Sequence, residues 1–347
     1  MTESLHPEPR QEPLRDRVAS ARRTATLAHD DIASWRPATR DDVDLITAFE
    51  HALAAADHPE WRSGREEVAD MLGRSELDLG QDTVLGFAAD GRLAAHGIVL
   101  RPEGAEFMVR SFLFGGIHPD YRGRGIGRIL LEWELARAVE QFADSDSLLP
   151  GVVFGYAQER TPANGRLFER SGMAVKRYFL KFSRDLREPL PELPEADATV
   201  RPYRDDDAEA VRHARNDAFR DHWGSDVMSP EQWGHLVGGE GFRGDLSLVS
   251  VDGDRVVGFL LASEYEATDE HEGEAGIYVE YVGVRREGRG RGIARRLLAG
   301  HLHAAAAAGF ASSVLEVDAD SPTGANALYE SMGYREHHRE LAYSLEF

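Results

Sequence analysis

Two stretches of the chain place apolar residues on either side of an Asp-Gly pair: FAADGRLAAHGIVL (87–100) and LVSVDGDRVVGFLL (248–261). Each predicts two strands joined by a tight turn, because Asp-Gly suits the backbone of short hairpins. A further strand follows each (about 108–117 and 277–285), then a loop of arginine and glycine, then a long helix (about 125–142 and 292–309). Ala304 to Ala308 favour the second helix by propensity, and Gly309 suits its C-terminal end. GVVFGY (from Gly151) and SSVLEV (from Ser312) each predict another strand, followed by a short helix and closing strands. A short strand near Trp35 or Val200 opens each series and leads into helical segments. Strands alternating with helices predict an α/β fold, each unit a mixed central sheet flanked by helices.

The parallel between the two series is a duplication. GIHPDYRGRGIGRILL (116–131) and GVRREGRGRGIARRLL (283–298) are identical at nine of sixteen positions. WRPATRDDVDLI from Trp35 is echoed by VRPYRDDDAEAV from Val200, and Asp57-His58 by Asp221-His222. LFERSG from Leu167 is echoed by LYESMG from Leu328. Landmarks repeated in the same order predict two tandem domains, 34–186 and 198–347. Between them, 187–197 carries Pro189, Pro191 and Pro194 and predicts a stiff linker. Residues 1–33 predict a mobile or loosely docked N-terminal tail.

Composition narrows the function. The 347 residues leave room for two cores. A formal charge of −21 argues against a partner that is nucleic acid, whose binding rests on neutralising phosphates. With no cysteine, thiolate nucleophiles, disulfides and zinc-thiolate sites are ruled out, and no metal is expected. No apolar run approaches the roughly 18 residues of a membrane span, and MTESLHPEPRQEPLRD lacks a signal-peptide core. A cytoplasmic enzyme or binding protein without a membrane partner is the expectation.

The Arg/Gly loops carry the chemistry. Glycines let backbone approach a ligand closely, amides at a helix start favour an anion, and arginines add phosphate contacts. The loop therefore reads as a pyrophosphate cradle between strand and helix. It is not a Walker loop, which ends in Gly-Lys-Ser/Thr, and its G-x-G-x-G spacing differs from the dinucleotide fingerprint.

RGRGIG (122–127) and RGRGIA (289–294) match the Q/R-x-x-G-x-G/A signature of the GNAT superfamily of acyl-CoA N-acyltransferases, which the chain resembles from about residue 34 to its end. The tandem layout resembles that of mycothiol synthases. The resemblance implies acetyl-CoA as co-substrate and a small-molecule amine as acceptor. It assigns the pantetheine arm to the backbone of Val282, Gly283 and Val284, and the pyrophosphate to Arg289, Gly290, Arg291, Gly292, Ile293 and Ala294. In the first copy the matching set is Ile117, Arg122, Gly123, Arg124, Gly125, Ile126 and Gly127.

An amine with a pKa of about 10 is mostly protonated at neutral pH, so a base or water relay helps, and the departing thiolate needs a proton. By resemblance Glu280 is the carboxylate for the first task. Alternation sets it with Tyr278, Val282 and Val284 unless a bulge intervenes, and a solvent-facing strand carboxylate is the other reading. Tyr329 matches the tyrosine that GNAT enzymes aim at the coenzyme sulfur, and a packed core aromatic is the other reading. The first copy has Phe168 in the place of Tyr329 and Leu113 in the place of Glu280. That predicts a domain that binds coenzyme without turnover, or only supports its neighbour. Mycothiol synthases have a strand carboxylate where this chain has Tyr278, and many relatives have Asn where it reads Ser321-Pro322. The Asp-His pairs read as helix-end caps, and His301 and His303 face different ways on a helix, against a metal pair. Two functions are weighed: an N-acetyltransferase with its chemistry in the C-terminal copy, and a non-catalytic acyl-CoA sensor or scaffold. Oligomeric state, acyl chain length and acceptor are not legible.

Overall fold

The computed structural model describes residues 10–21, 25–57, 63–193, 199–220, 222, 227–239, 241–265, 276–320 and 324–347. The chain forms two compact units, residues 1–178 with 340–347, and residues 179–339.

In the first unit, α1 (Leu14–Arg17) and β1 (Ser34–Arg36) precede α2 (Val43–Asp57), α3 (Arg65–Gly73) and α4 (Leu79–Asp82). The hairpin β2 (Thr83–Phe87) and β3 (Leu93–Leu100), β4 (Val109–Ile117), α5 (Ile126–Phe142), β5 (Gly151–Gln158), α6 (Pro162–Arg170) and β6 (Ala174–Asp185) follow. The second unit repeats the order with β7 (Val200–Pro202), α7 (Ala208–Ala218), α8 (Pro230–Gly238), β8 (Leu248–Asp252), β9 (Arg255–Tyr265), β10 (Gly276–Val284), α9 (Ile293–Ala307), β11 (Ser312–Asp318), α10 (Ala325–Ser331) and β12 (Arg335–Glu346). The helices after the loops end within two residues of the expected positions, and both Asp-Gly turns hold glycine at positive φ (Gly91 +82°, Gly253 +61°).

The repeated openings RPATRDD (36–42) and RPYRDDD (201–207) fold alike. Arg36 grips Asp42 through two bonds of 2.8 and 2.6 Å, and Arg201 grips Asp207 through two of 2.7 Å. Each carboxylate also accepts a bond from the N–H three residues back, of Thr39 or Arg204, closing the entry to the helix. Charge-assisted bonds from Arg36 hold the Asp42 carboxyl at about 2, well below its ordinary value.

Each unit is a mixed sheet with an apolar helix on its face. β3 and β4 are antiparallel while β4 and β5 are parallel, and β9, β10 and β11 repeat that arrangement. α5 buries Leu131, Val139 and Phe142 against Val99, Leu113 and Val153. α9 does the same with Leu297, Leu298 and Leu302 against Leu260, Ala262 and Val279. The final strands are exchanged: residues 340–346 of β12 pair with β5, and residues 179–185 of β6 pair with β11. Nothing in the repeat marks that exchange, because both strands are apolar enough to complete either sheet.

Within the N-terminal segment, residues 10–21 are docked. Leu14 and Val18, four apart and so on one helix face, are both fully buried, with Leu14 filling the space over Gly151. In the predicted linker, the carbonyls of Pro189 and Pro191 accept bonds from Arg184 and His303, while Pro194 lies outside the described residues.

Candidate active site

In the second unit, parallel pairing of β10 with β11 covers Gly276–Val279 and stops at the Val279–Leu315 rung. β10 continues to Val284 against β9, and β11 continues to Asp318 against β6, so the two strands part as a wedge. Beyond that rung β10 runs on from Tyr281 to Val284 with no β11 residue opposite it. An extended ligand arm can pair with such an edge as a strand would.

The cradle closes the wide end. Gly290 and Gly292 sit at φ +74° and +73°, a conformation that side chains strain against, and Gly292 is the N-cap of α9. Among the described residues, no backbone acceptor meets the N–H groups of Gly290, Arg291, Gly292, Ile293 and Ala294, so they converge on the helix start. The macrodipole adds partial positive charge there. Ile293 anchors the loop in the core. Arg289 is spent on two carbonyls, of Val284 (3.3 Å) and Ala218 (3.2 Å), and so shapes the loop. Arg291 is exposed and within 3.1 Å of Asp252. Arg295 reaches Ser331 at 2.7 Å, which ties the start of α9 to α10.

Glu280 is the extra residue of a β-bulge. The register jumps between Val279, opposite Ala262, and Tyr281, opposite Leu261, and Glu280 falls at the jump. The bulge turns Tyr281 toward the α7 side, where it packs with Phe219, while Val282 and Val284 pack toward α9. The simple alternation that grouped Glu280 with Val282 and Val284 is therefore broken, and Glu280 stands where the wedge opens. Tyr329 is 6% exposed in the α9-side core, with ring contacts to Phe182 (6.1 Å) and Tyr334 (6.0 Å). Its hydroxyl has no hydrogen-bond partner among the described residues, and burial pushes its pKa up, keeping it a neutral donor. One turn earlier, the Oδ1 of Asn326 is buried without a partner, an acceptor that the sequence reading missed. Only its place on the same face as Tyr329 (i, i+3) could have drawn notice to it. Ser321-Pro322, Asp221 and His58 lie outside the described residues.

The first unit holds a similar wedge: pairing of β4 with β5 ends at the Phe112–Phe154 rung. Gly123 and Gly125 sit at φ +75° and +94°, and Ile117 and Gly127 meet beside Leu167 of α6. Its cations are held differently. Arg122 forms a bidentate pair with Asp57 (2.6 and 2.8 Å), and Arg124 lies 3.5 Å from Asp31. His29 of the same preceding segment bonds the carbonyl of Arg124 at 2.8 Å, and Ile32 packs with Tyr121 and Ile126. Ile126 is the buried anchor of this loop. β4 has no bulge where β10 has one: Leu113 pairs with Val99 in an unbroken register. Leu113 therefore corresponds to Val279, and Glu280 has no counterpart.

Comparison with known proteins fixes the family. The model of the Acetyltransferase (GNAT) family matches residues 208–334. Mycothiol acetyltransferase of Streptomyces griseus subsp. griseus is 30% identical over 89% of this chain and 95% of that protein. The chain belongs to the GNAT acetyltransferase family. Mycothiol acetyltransferase of Tsukamurella paurometabola is 30% identical over 72% of this GNAT chain and 81% of its own length. The GCN5-related N-acetyltransferase of Sphaerobacter thermophilus is also 30% identical, with a TM-score of 0.69, covering 92% of this chain and 97% of that one. A tandem GNAT protein from the clavulanic acid biosynthesis pathway shares the fold at 17% identity, with a TM-score of 0.63 over 90% of this chain and 98% of that one. The chain is thus a tandem GNAT enzyme that transfers an acetyl group from acetyl-CoA to an amine. No helix among the described residues is long and apolar enough to cross a membrane.

Proposed function

We propose that acetyl transfer takes place in the second unit and that the acceptor is a primary amine of a small molecule. The observation that carries the proposal is the bulge at Glu280, which adds a carboxylate at the point where β10 and β11 part. Bulges re-aim side chains beside active sites. The N–H groups of Gly290 to Ala294 would receive the pyrophosphate, and the free edge of Val282 to Val284 would hold the pantetheine arm. Bound this way, the coenzyme supplies an activated acetyl thioester.

Glu280, directly or through one water, takes a proton from the incoming amine, whose nitrogen then bonds to the acetyl carbon. As the carbon–sulfur bond breaks, the Tyr329 hydroxyl gives its proton to the departing sulfur. Tyr281 of the sheet and Phe219 at the end of α7, with Arg215 over both rings at 5.2 and 5.4 Å, form a wall on the α7 side where an acceptor would lie. Relatives named for acetylating mycothiol support a small acceptor over a protein amine. The proposed chemistry uses no metal. The first unit is proposed to be silent in turnover, because it lacks both the bulge and a tyrosine on α6. A pure acyl-CoA sensor needs neither Glu280 nor Tyr329.

The test is release of free thiol from acetyl-CoA by the full chain against a panel of amino sugars, polyamines and amino acid amides. Release that depends on one class of amine supports the proposal. Binding of acetyl-CoA without acceptor-dependent release from any amine would favour the sensor.

A further inference from the structure

The first unit has lost the tyrosine of α6 but not a phenol at that place. In the second unit, α10 contributes Tyr329 and the adjoining strand contributes Phe182, opposite Leu315, with the rings 6.1 Å apart. In the first unit, α6 contributes Phe168 and the adjoining strand contributes Tyr343, opposite Gly155, with the rings 5.2 Å apart. Tyrosine and phenylalanine have changed places across the same contact.

Two glycines make the change possible. A Cβ on Gly155 would lie 2.6 Å from the Phe168 ring, so that ring settles onto β5 in the space a side chain would fill. A Cβ on Gly165 would lie 2.5 Å from the Tyr343 hydroxyl, so the phenol oxygen rests on the backbone of the first turns of α6. Tyr343 is 4% exposed, and its hydroxyl has no partner among the described residues. The oxygen is not among the fully buried unpartnered polar atoms, so it stays within reach of a ligand. α6 itself adjoins the cradle, since Leu167, next to Phe168, touches the space over Gly127 at the start of α5.

We propose that Tyr343, delivered by the exchanged C-terminal strand, hydrogen-bonds the sulfur of coenzyme A in the wedge of the first unit. The inference rests on the reading that Tyr329 faces the sulfur in the second unit. With no bulged carboxylate beside it, the first unit holds the coenzyme without turning it over.

The test uses titration calorimetry of the full chain with coenzyme A and with desulfo-coenzyme A, in an Arg289→Ala, Arg291→Ala background that weakens the second site. Adding Tyr343→Phe should weaken coenzyme A about three- to tenfold, leave desulfo-coenzyme A unchanged and not lower the melting temperature, because the lost hydroxyl bonds none of the described residues. Adding Phe168→Tyr should restore the preference for the sulfur-bearing ligand. No binding in that background, or equal changes for both ligands, would overturn the inference. Unchanged turnover in Tyr329→Phe would instead overturn the reading of the helix position, and the inference with it.

Discussion

β4 and β10 occupy the same place in their units, precede nearly identical loops and open toward the same kind of wedge, yet they differ by one residue. β4 pairs with β3 without interruption and turns Leu113 into the core against α5. β10 admits Glu280 as a bulge, keeps Val279 in the core against α9, and turns Tyr281 to the other face. An inserted residue can thus add a carboxylate without displacing any core side chain, because the flanking strand keeps its alternation on both sides of the bulge. A substitution at a core position could not. The two wedges share a shape, and the chemistry enters through the extra residue.

The most severe way to break the comparison is to remove that residue. Deleting Glu280 should straighten β10 into a strand like β4, with Val279 and Tyr281 still on their present faces. The chain should fold and bind acetyl-CoA, while turnover falls about 10²–10⁴-fold, as for a lost general base. Circular dichroism, calorimetry and initial rates on one preparation would check this. Failure to fold would show that the bulge is structural.

The cradles come next. Arg289→Ala and Arg291→Ala together should weaken coenzyme binding in the second unit, each lost phosphate contact costing about 1.5–3 kcal/mol, or roughly 10- to 150-fold. Arg289 is the weaker contributor of the two, because the structure engages it with the carbonyls of Val284 and Ala218. Arg122→Ala should change the first unit's affinity less, since Asp57 already neutralises that cation. Titration calorimetry with equal losses in both units would contradict the difference drawn between them.

The smallest effect concerns pH. At matching places on the two long helices, Glu134 of α5 and His301 of α9 are both buried. Burial pushes the Glu134 carboxyl well up and brings the His301 imidazole down to about 4. Burial favours the neutral form of each group, and their linkages run in opposite directions. Below about pH 6.5 the unfolded chain protonates His301 first, so its contribution is lost as pH falls toward 4. At pH 5 the loss is about 2 kcal/mol relative to pH 7. Above about pH 4.5 the unfolded chain ionises Glu134 first, so its contribution is lost as pH rises. His301→Gln should flatten the acid limb of a urea-midpoint profile, and Glu134→Gln should raise the midpoint near neutrality. The same slope change from both variants would contradict the assignment.

Much of this was legible in the chain. The Asp-Gly turns, the Arg/Gly loops and the repeated Arg-Pro…Asp openings are local signals, and each folded where the residues placed it. The cradle glycines are legible because only glycine tolerates those φ values cheaply. What escaped is non-local. The strand exchange depends on which of two apolar strands pairs with β5 and β11, a choice that leaves no trace in hydrophobic pattern. The bulge at Glu280 depends on a register set by β9, and a repeat alignment without gaps paired Glu280 with Leu113 in error. Tyr343 escaped because it lies 175 residues from Phe168, and only the exchanged strand brings them together.

The central claim is that chemistry belongs to the second unit and passes through Glu280 and Tyr329. Acceptor-dependent thiol release by the Glu280→Gln, Tyr329→Phe chain tests it most directly. The account predicts turnover reduced at least about 10²-fold with acetyl-CoA affinity nearly unchanged, because only interactions made in the transition state are removed. Full turnover in that double variant would place the reaction elsewhere.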